Sequence, residues 1–224
     1  MKRYFLYFLL ATISYSASAQ VDPNYKDLNY LEDQFYLSLS YNIVRDLPED
    51  ASQNGFSGGV HLGFLRDFPI NEQRNIAIAA GLGYGFDVLV HNIVAEEQNN
   101  NYSFSIAEDY DLNKWTFHSL ELPLEFRWRT STPTKYKFLR VYSGIKFSYL
   151  FATKTDYELE SVNLKYKNPS FFNKFQYGII LSAGYHNWNL YMYYSLSPLL
   201  DNSEIDGKPL ELREFNVGLK FYIM

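Results

Sequence analysis

No cysteine occurs anywhere in the 224 residues. That removes a disulfide framework, thiolate chemistry and any thiol-anchored lipid. An excess of basic charge is also missing. Lys and Arg number 20 against 25 Asp and Glu, and no basic block interrupts the chain. A nucleic-acid partner is therefore not expected. Histidine is scarce, with four dispersed residues and no pair at metal-ligand spacing. Beyond the first 19 residues no window is both long and apolar enough for a transmembrane helix. This excludes helical membrane proteins only, because spanning strands leave a far weaker hydropathy signal. What the sequence holds in excess is aromatic: 21 Tyr and 18 Phe, spread along the chain.

Residues 1–19 read as a secretory signal peptide. Lys2 and Arg3 form a basic start, Tyr4 to Tyr15 is a short uncharged run, and Ala17-Ser18-Ala19 is a small-residue cleavage pattern before Gln20. The run is too short to span a membrane, and the alternative is a buried N-terminal helix. Cleavage would remove Lys2 and Arg3 and deepen the net charge from −5 to −7. Residues 20–32 are polar and irregular, a tail before a single domain over 33–224.

The most informative stretch is Ser119 to Trp128. Leu120, Leu122, Leu124, Phe126 and Trp128 alternate with Glu121, Pro123, Glu125 and Arg127, the period of two of a strand with unlike faces. Seven further segments alternate likewise, beginning near Phe35, Gly55, Ile76, Leu139, Phe175, Trp188 and Phe215. Their connections run long, short, long, short, long, short, long. The long ones include 92–113 and 152–173, both read as polar loops. Trp115 and Phe117 stand out of phase with Leu120 onward, which predicts a β-bulge near His118-Ser119. Pro123, lacking an N–H, predicts a local break in pairing.

An even strand number and alternating connection lengths fit an all-β fold: an eight-stranded antiparallel up-and-down transmembrane β-barrel. Long loops would lie outside the cell, and short turns and both termini in the periplasm. Alternation alone does not say which face is inside. The Gly-rich partner face favours a crowded lumen, with the apolar set toward lipid. Trp115, Trp128, Trp188 and many Tyr sit near strand ends, where interfacial girdles lie. A soluble lipocalin-like barrel would reverse the faces.

Ser119-Leu-Glu-Leu-Pro-Leu-Glu-Phe-Arg127 resembles the Pro-containing strand of the PorT-like, porin-family outer-membrane barrels of Bacteroidetes. Tyr142-Ser-Gly144, Gln176-Tyr-Gly178, Ser182-Ala-Gly184 and Val217-Gly-Leu-Lys-Phe-Tyr222 support it, and the resemblance covers about 30 to 224. The chain departs from the usual outer-membrane terminus by ending in Met224. The resemblance implies a Gram-negative outer-membrane location, outer-membrane lipid and the barrel-assembly machinery as partners, and a non-enzymatic structural or accessory role. Through the family's best-known member it also implies type IX secretion and gliding, with secretion-system components as further partners.

Glu121, Glu125, Arg127, Arg140, Lys146 and Lys220 fall on the partner face. They could gate a channel. An eight-stranded barrel is just wide enough for its side chains, and buried charges need partners, so a structural ladder of ion pairs is expected instead. His118, Ser119 and Glu121 suggest a lipid-modifying enzyme, but no oxyanion element accompanies them, and no catalytic residue is assigned. Glu108, Asp109 and Asp111, or Asp201, Glu204 and Asp206, lack the spacing of a calcium loop. No metal or cofactor is expected. A periplasmic lipocalin-like ligand binder is the remaining alternative.

Overall fold

The computed structural model describes residues 33–98, 101–130 and 139–223. The expected signal peptide, the 20–32 tail, the turn at Pro133 and the terminal Met224 lie outside these residues. Among the described residues none is helical.

In chain order the strands are β1 (Gln34–Arg45), β2 (Gly58–Pro69), β3 (Ile76–Val90), β4 (Ile93–Gln98), β5 (Asn101–Ile106), β6 (Leu112–Arg129), β7 (Leu139–Leu159), β8 (Val162–Lys167), β9 (Phe175–Tyr185), β10 (Trp188–Ser195), β11 (Glu204–Ile205), β12 (Lys208–Pro209) and β13 (Arg213–Ile223). Eight of them, β1, β2, β3, β6, β7, β9, β10 and β13, form successive antiparallel pairs, and β13 returns to β1 to close a barrel. The closing register runs from Phe35 opposite Ile223 to Arg45 opposite Arg213. Closure leaves no barrel edge unpaired, the condition for a sheet to sit in lipid.

The faces are resolved. Phe35, Leu37, Leu39 and Tyr41 of β1 point outward, while Gln34, Tyr36, Ser38, Ser40 and Asn42 are buried. The same division holds in β6, where Leu120, Leu122, Leu124, Phe126 and Trp128 are exposed and Glu121, Glu125 and Arg127 are buried. An apolar exterior around a charged interior is the reverse of a lipocalin-type barrel. From Leu120 to Trp128 the outward face of β6 extends roughly 26 Å at ~3.3 Å per residue, comparable after strand tilt with the ~25 Å apolar band of outer-membrane barrels. Aromatic pairs mark both ends. Phe35 lies 5.1 Å from Phe64 and Trp188 lies 4.7 Å from Phe221 near the short turns, and Tyr149 lies 5.0 Å from Phe175 toward the long loops.

Local chemistry accounts for the turns. His186 takes a positive φ of 58° in the two-residue turn between β9 and β10. In the β11–β12 hairpin Asp206 and Gly207 have φ of 51° and 72°, the left-handed pair that a tight hairpin demands and that Asp-Gly supplies with little strain.

Three expectations are corrected. The 152–173 segment is not a loop: β7 runs on to Leu159 and returns as β8. The 92–113 connection likewise contains the β4–β5 hairpin and the start of β6. Trp115 is not an interfacial anchor but an interior residue, 1% exposed. Strand β6 keeps one phase throughout, with odd-numbered residues inward from Asn113 to Arg129. Its register against β7 does shift between His118 and Ser119, as predicted. The extra residue, however, belongs to β7: His118 faces Ala152 and Ser119 faces Leu150, so Phe151 is the one left over. Trp115 and Phe117 look out of phase because the interior turns apolar at that height. Opposite Leu122 and Pro123 the ladder to β3 lapses at Gly81 and Leu82, the break that proline predicted.

That apolar interior is a cap over the long-loop end. Val44, Leu89, Trp115, Phe117 and Leu150 from the barrel wall meet Ile93, Phe171, Phe172, Leu199, Leu200 and Leu212 from the connections. Phe172 packs edge-on to both Trp115 (5.2 Å) and Phe117 (5.0 Å).

Candidate functional site

Beneath the cap the interior is charged. Strand alternation places Asp67 and His61 of β2, Asp87 of β3, Glu121, Glu125, Arg127 and Arg129 of β6, Lys146 of β7 and Lys220 of β13 on the inner wall, all buried. Small residues make the room. A Cβ at Gly85 would fall 2.5 Å from Ser119 Oγ, 2.8 Å from His61 Nδ1 and 3.0 Å from Glu121 Oε1, and one at Gly83 would collide with the Tyr36 hydroxyl. The Gly face of β3 is the space that the side chains of β1, β2 and β6 occupy.

The charges form a ladder along the axis. At the top, Asp87 accepts from Asn42 Nδ2 (2.7 Å) and lies 3.3 Å from His61 Nε2. The other ring nitrogen, Nδ1, is 3.0 Å from Glu121, which accepts from Lys146 Nζ at 2.6 Å. One level down, Glu125 accepts from Lys220 Nζ (2.8 Å) and Arg127 Nε (3.0 Å). At the short-turn end, Asp67 bridges Arg127 (3.2 Å) and Arg129 (2.7 Å), and Arg129 also donates to the Arg74 carbonyl. Tyrosine rings fill the gaps. Lys146 lies 4.3 Å from the Tyr193 ring, Lys220 4.4 Å from Tyr36, and Arg127 4.8 Å from Tyr142, distances at which a ring face attracts a cation.

Of the six residues expected on this face, Glu121 with Lys146, and Glu125 with Arg127 and Lys220, meet in ion pairs. Arg140 is buried nearer the short turns, with its guanidinium 5.5 Å from the Tyr222 ring. Arg129 was missed, although continuing the period of two past Trp128 would have placed it beside Arg127. The cation–ring contacts of Tyr36, Tyr142 and Tyr193 were missed because they depend on register between distant strands.

The suspected His118-Ser119-Glu121 set is split. Ser119 and Glu121 point inward. His118 faces the opposite way, its Nδ1 2.6 Å from the Tyr84 hydroxyl and its ring 5.1 Å from Phe86. His61 takes the histidine position beside Glu121, but both its nitrogens face carboxylates, so it offers no lone pair to accept a serine proton. The free space among Asp87, Ser119, Glu121, Lys146 and Tyr193 is about 20 Å³, room for one water at most. Among the described residues no three His, Asp or Glu side chains are grouped to hold a metal ion.

A family model described as an outer membrane protein beta-barrel domain matches residues 18–201. No curated protein matches the chain. Among solved structures it is similar to Ail, the attachment invasion locus protein of Yersinia pestis, in complex with the heparin analogue sucrose octasulfate. The two share 13% identity over 86% of this chain and 99% of that one, with a TM-score of 0.37.

Proposed function

The chain belongs to the family of outer membrane proteins with a β-barrel domain, and from that premise we propose that it is a non-enzymatic, PorT-like barrel with a structural or accessory role in type IX protein secretion and gliding. The observation that carries the non-enzymatic part is the filled interior. Ion pairs occupy it from Asp87 to Asp67, and the space left beside Glu121 is about 20 Å³, too small for a sugar, lipid or peptide substrate. A barrel so filled works through its surfaces. The secretion role is supported by the Pro-containing β6 motif, and fold-level likeness by itself would not supply it. The long-loop end faces outward in this reading, and the short turns and chain ends face the periplasm.

Deletion of the gene, followed by comparison of the secreted proteins and of surface motility, tests the role. Loss of secretion and gliding is expected, and wild-type levels of both would remove the secretion reading. A lipid A profile taken from the same strain is expected to match the parent; an altered acylation pattern would reinstate a lipid-modifying enzyme.

A further inference from the structure

The long-loop end carries a groove that neither the barrel nor its ladder requires. Two adjoining clefts, of about 750 and 490 Å³, meet at Asp50, Ile106, Ile205 and Asp206. One wall is the 46–54 connection, and the other is the β11–β12 hairpin. Half-buried Phe104 and Ile106 give the floor an apolar strip, with Ile205 buried beneath them. The walls are fixed in advance of any ligand. The buried Asn92 side chain donates to the carbonyls of Asp50 and Ala107 and accepts from Ser52 N–H at 2.7 Å, tying the first wall to the end of β5. Gln53 is held to Val44 N and the Asn42 carbonyl. The opposite wall is closed by the tight Asp206-Gly207 turn, whose left-handed backbone suits both residues.

The rim is acidic and unneutralised. Among the described residues the ion pairs at this end are Lys154 with Asp156, Lys165 with Glu158, and Arg213 with Asp46 and Glu211. None of them uses Glu49, Asp50, Glu108 or Asp206, which surround the groove; its basic neighbours are Lys208 and, through Asp46 at the edge of the second cleft, Arg213. Four free carboxylates around a rigid apolar floor match a ligand with cationic groups spaced along an apolar stem.

We propose that this groove is a docking site for an extended basic segment of a partner protein, its Lys or Arg heads at Asp50, Glu108 and Asp206 and its apolar side chains on Phe104 and Ile106. The long-range field of the acidic rim would also steer such a segment toward the site. The assignment rests on the loop geometry and holds whether or not the protein serves secretion.

The test uses the full chain in detergent micelles and fluorescein-labelled octapeptides, read by anisotropy. An alternating Lys-Val peptide is expected to bind, an alternating Glu-Val peptide not to bind, and Lys-Gly to bind more weakly than Lys-Val because it leaves the floor uncovered. The triple variant Asp50→Asn, Glu108→Gln, Asp206→Asn should weaken Lys-Val binding by roughly tenfold or more. Asn keeps the left-handed preference at position 206, and an unchanged gel mobility reports an intact barrel. A control triple, Glu96→Gln, Glu158→Gln, Glu160→Gln, removes the same charge elsewhere on this end and should leave affinity unchanged. Equal weakening by both triples would reduce the effect to general electrostatics and overturn the site. So would equal binding of Lys-Gly and Lys-Val, or calorimetric binding of Ca²⁺ that the first triple abolishes in a protein that takes up no peptide.

Discussion

At mid-barrel, Glu125 is held between Lys220 at 2.8 Å and Arg127 at 3.0 Å. Further along the same strand, Phe117 joins the apolar cluster of the cap and packs edge-on to Phe172 at 5.0 Å. Both places are buried, and one strand builds both, yet they are filled by opposite chemistry. The mid-barrel has its apolar side chains committed outward, so its interior is left to the polar half of the alternation, and desolvated charges must find one another. The cap has no lipid to face. It is roofed by connections that contribute Phe171, Phe172 and Leu199, and it buries apolar surface in the manner of a soluble core. The two regions should therefore fail differently. Taking one partner from the ladder strands a charge that nothing nearby can solvate. Taking one ring from the cap leaves a void in a part of the fold that the barrel's closure does not depend on.

The largest effect is expected for Glu125→Ala, which leaves Lys220 without its carboxylate and Arg127 with Asp67 alone. Breaking a buried pair in this way costs about 3–5 kcal/mol, and the loss should appear as a lower temperature for disappearance of the compact band on detergent gels. Phe172→Ala should cost about 3 kcal/mol and should be confined to the cap. Limited proteolysis of the long connections would accelerate while the compact band persists to its usual temperature. If Phe172→Ala instead melts the barrel, cap and ladder are one cooperative unit and the contrast between them fails.

The contrast also marks what could be read in the sequence. Strict alternation identified the eight barrel strands, and the Gly-rich partner face pointed to the correct inside. The same rule misread the cap. Trp115 and Phe117 are apolar and inward, so a pattern built on charged-inside, apolar-outside registered them as a slip of β6, when the extra residue was Phe151 of the neighbouring strand. The hairpins in the long connections were passed over because polar residues and the Asn run between them read as loop, although Tyr102, Phe104 and Ile106, and Val162, Leu164 and Tyr166, alternate with polar residues and did carry a signal. The ladder was legible as a set of residues but not as pairs. Glu125 and Lys220 are 95 positions apart, and only closure of β13 on β1 fixes which acid meets which base.

The cap has a pH dependence of its own. His91, in the connection beyond β3, is fully buried against Trp115 with ring centroids 4.1 Å apart. Its Nδ1 accepts from Ile93 N–H, and Nε2 has no hydrogen-bond partner among the described residues. Burial pushes its pKa down to about 3 from an ordinary 6.5. The unfolded cap therefore binds the proton first, and stability is complete above pH 6.5 and declines as pH falls from 6.5 toward 3. At pH 5 the loss is about 2 kcal/mol, from ~1.4 kcal/mol per unit. Proteolysis of the long connections should be faster at pH 5 than at 7.5 in the parent and much less pH-sensitive in His91→Gln. An equal pH response in both proteins would place the titrating group elsewhere.

The smallest effect belongs to the outermost layer of the same end. Lys165 and Glu158 pair at 2.8 Å across the β7–β8 hairpin. The pairing holds the Glu158 carboxyl below its ordinary range and the Lys165 ammonium above its own. Both side chains are well exposed, so water and salt screen the attraction, and the entropy of fixing two long side chains offsets much of what remains. Glu158→Gln should leave both the compact band and the proteolysis rate unchanged at physiological ionic strength, whereas removal of the buried Glu125 carboxylate should not. A proteolysis rate raised as far as by Phe172→Ala would mean that charge, and not apolar packing, holds the long connections over the barrel. Cap and interior would then differ in depth alone.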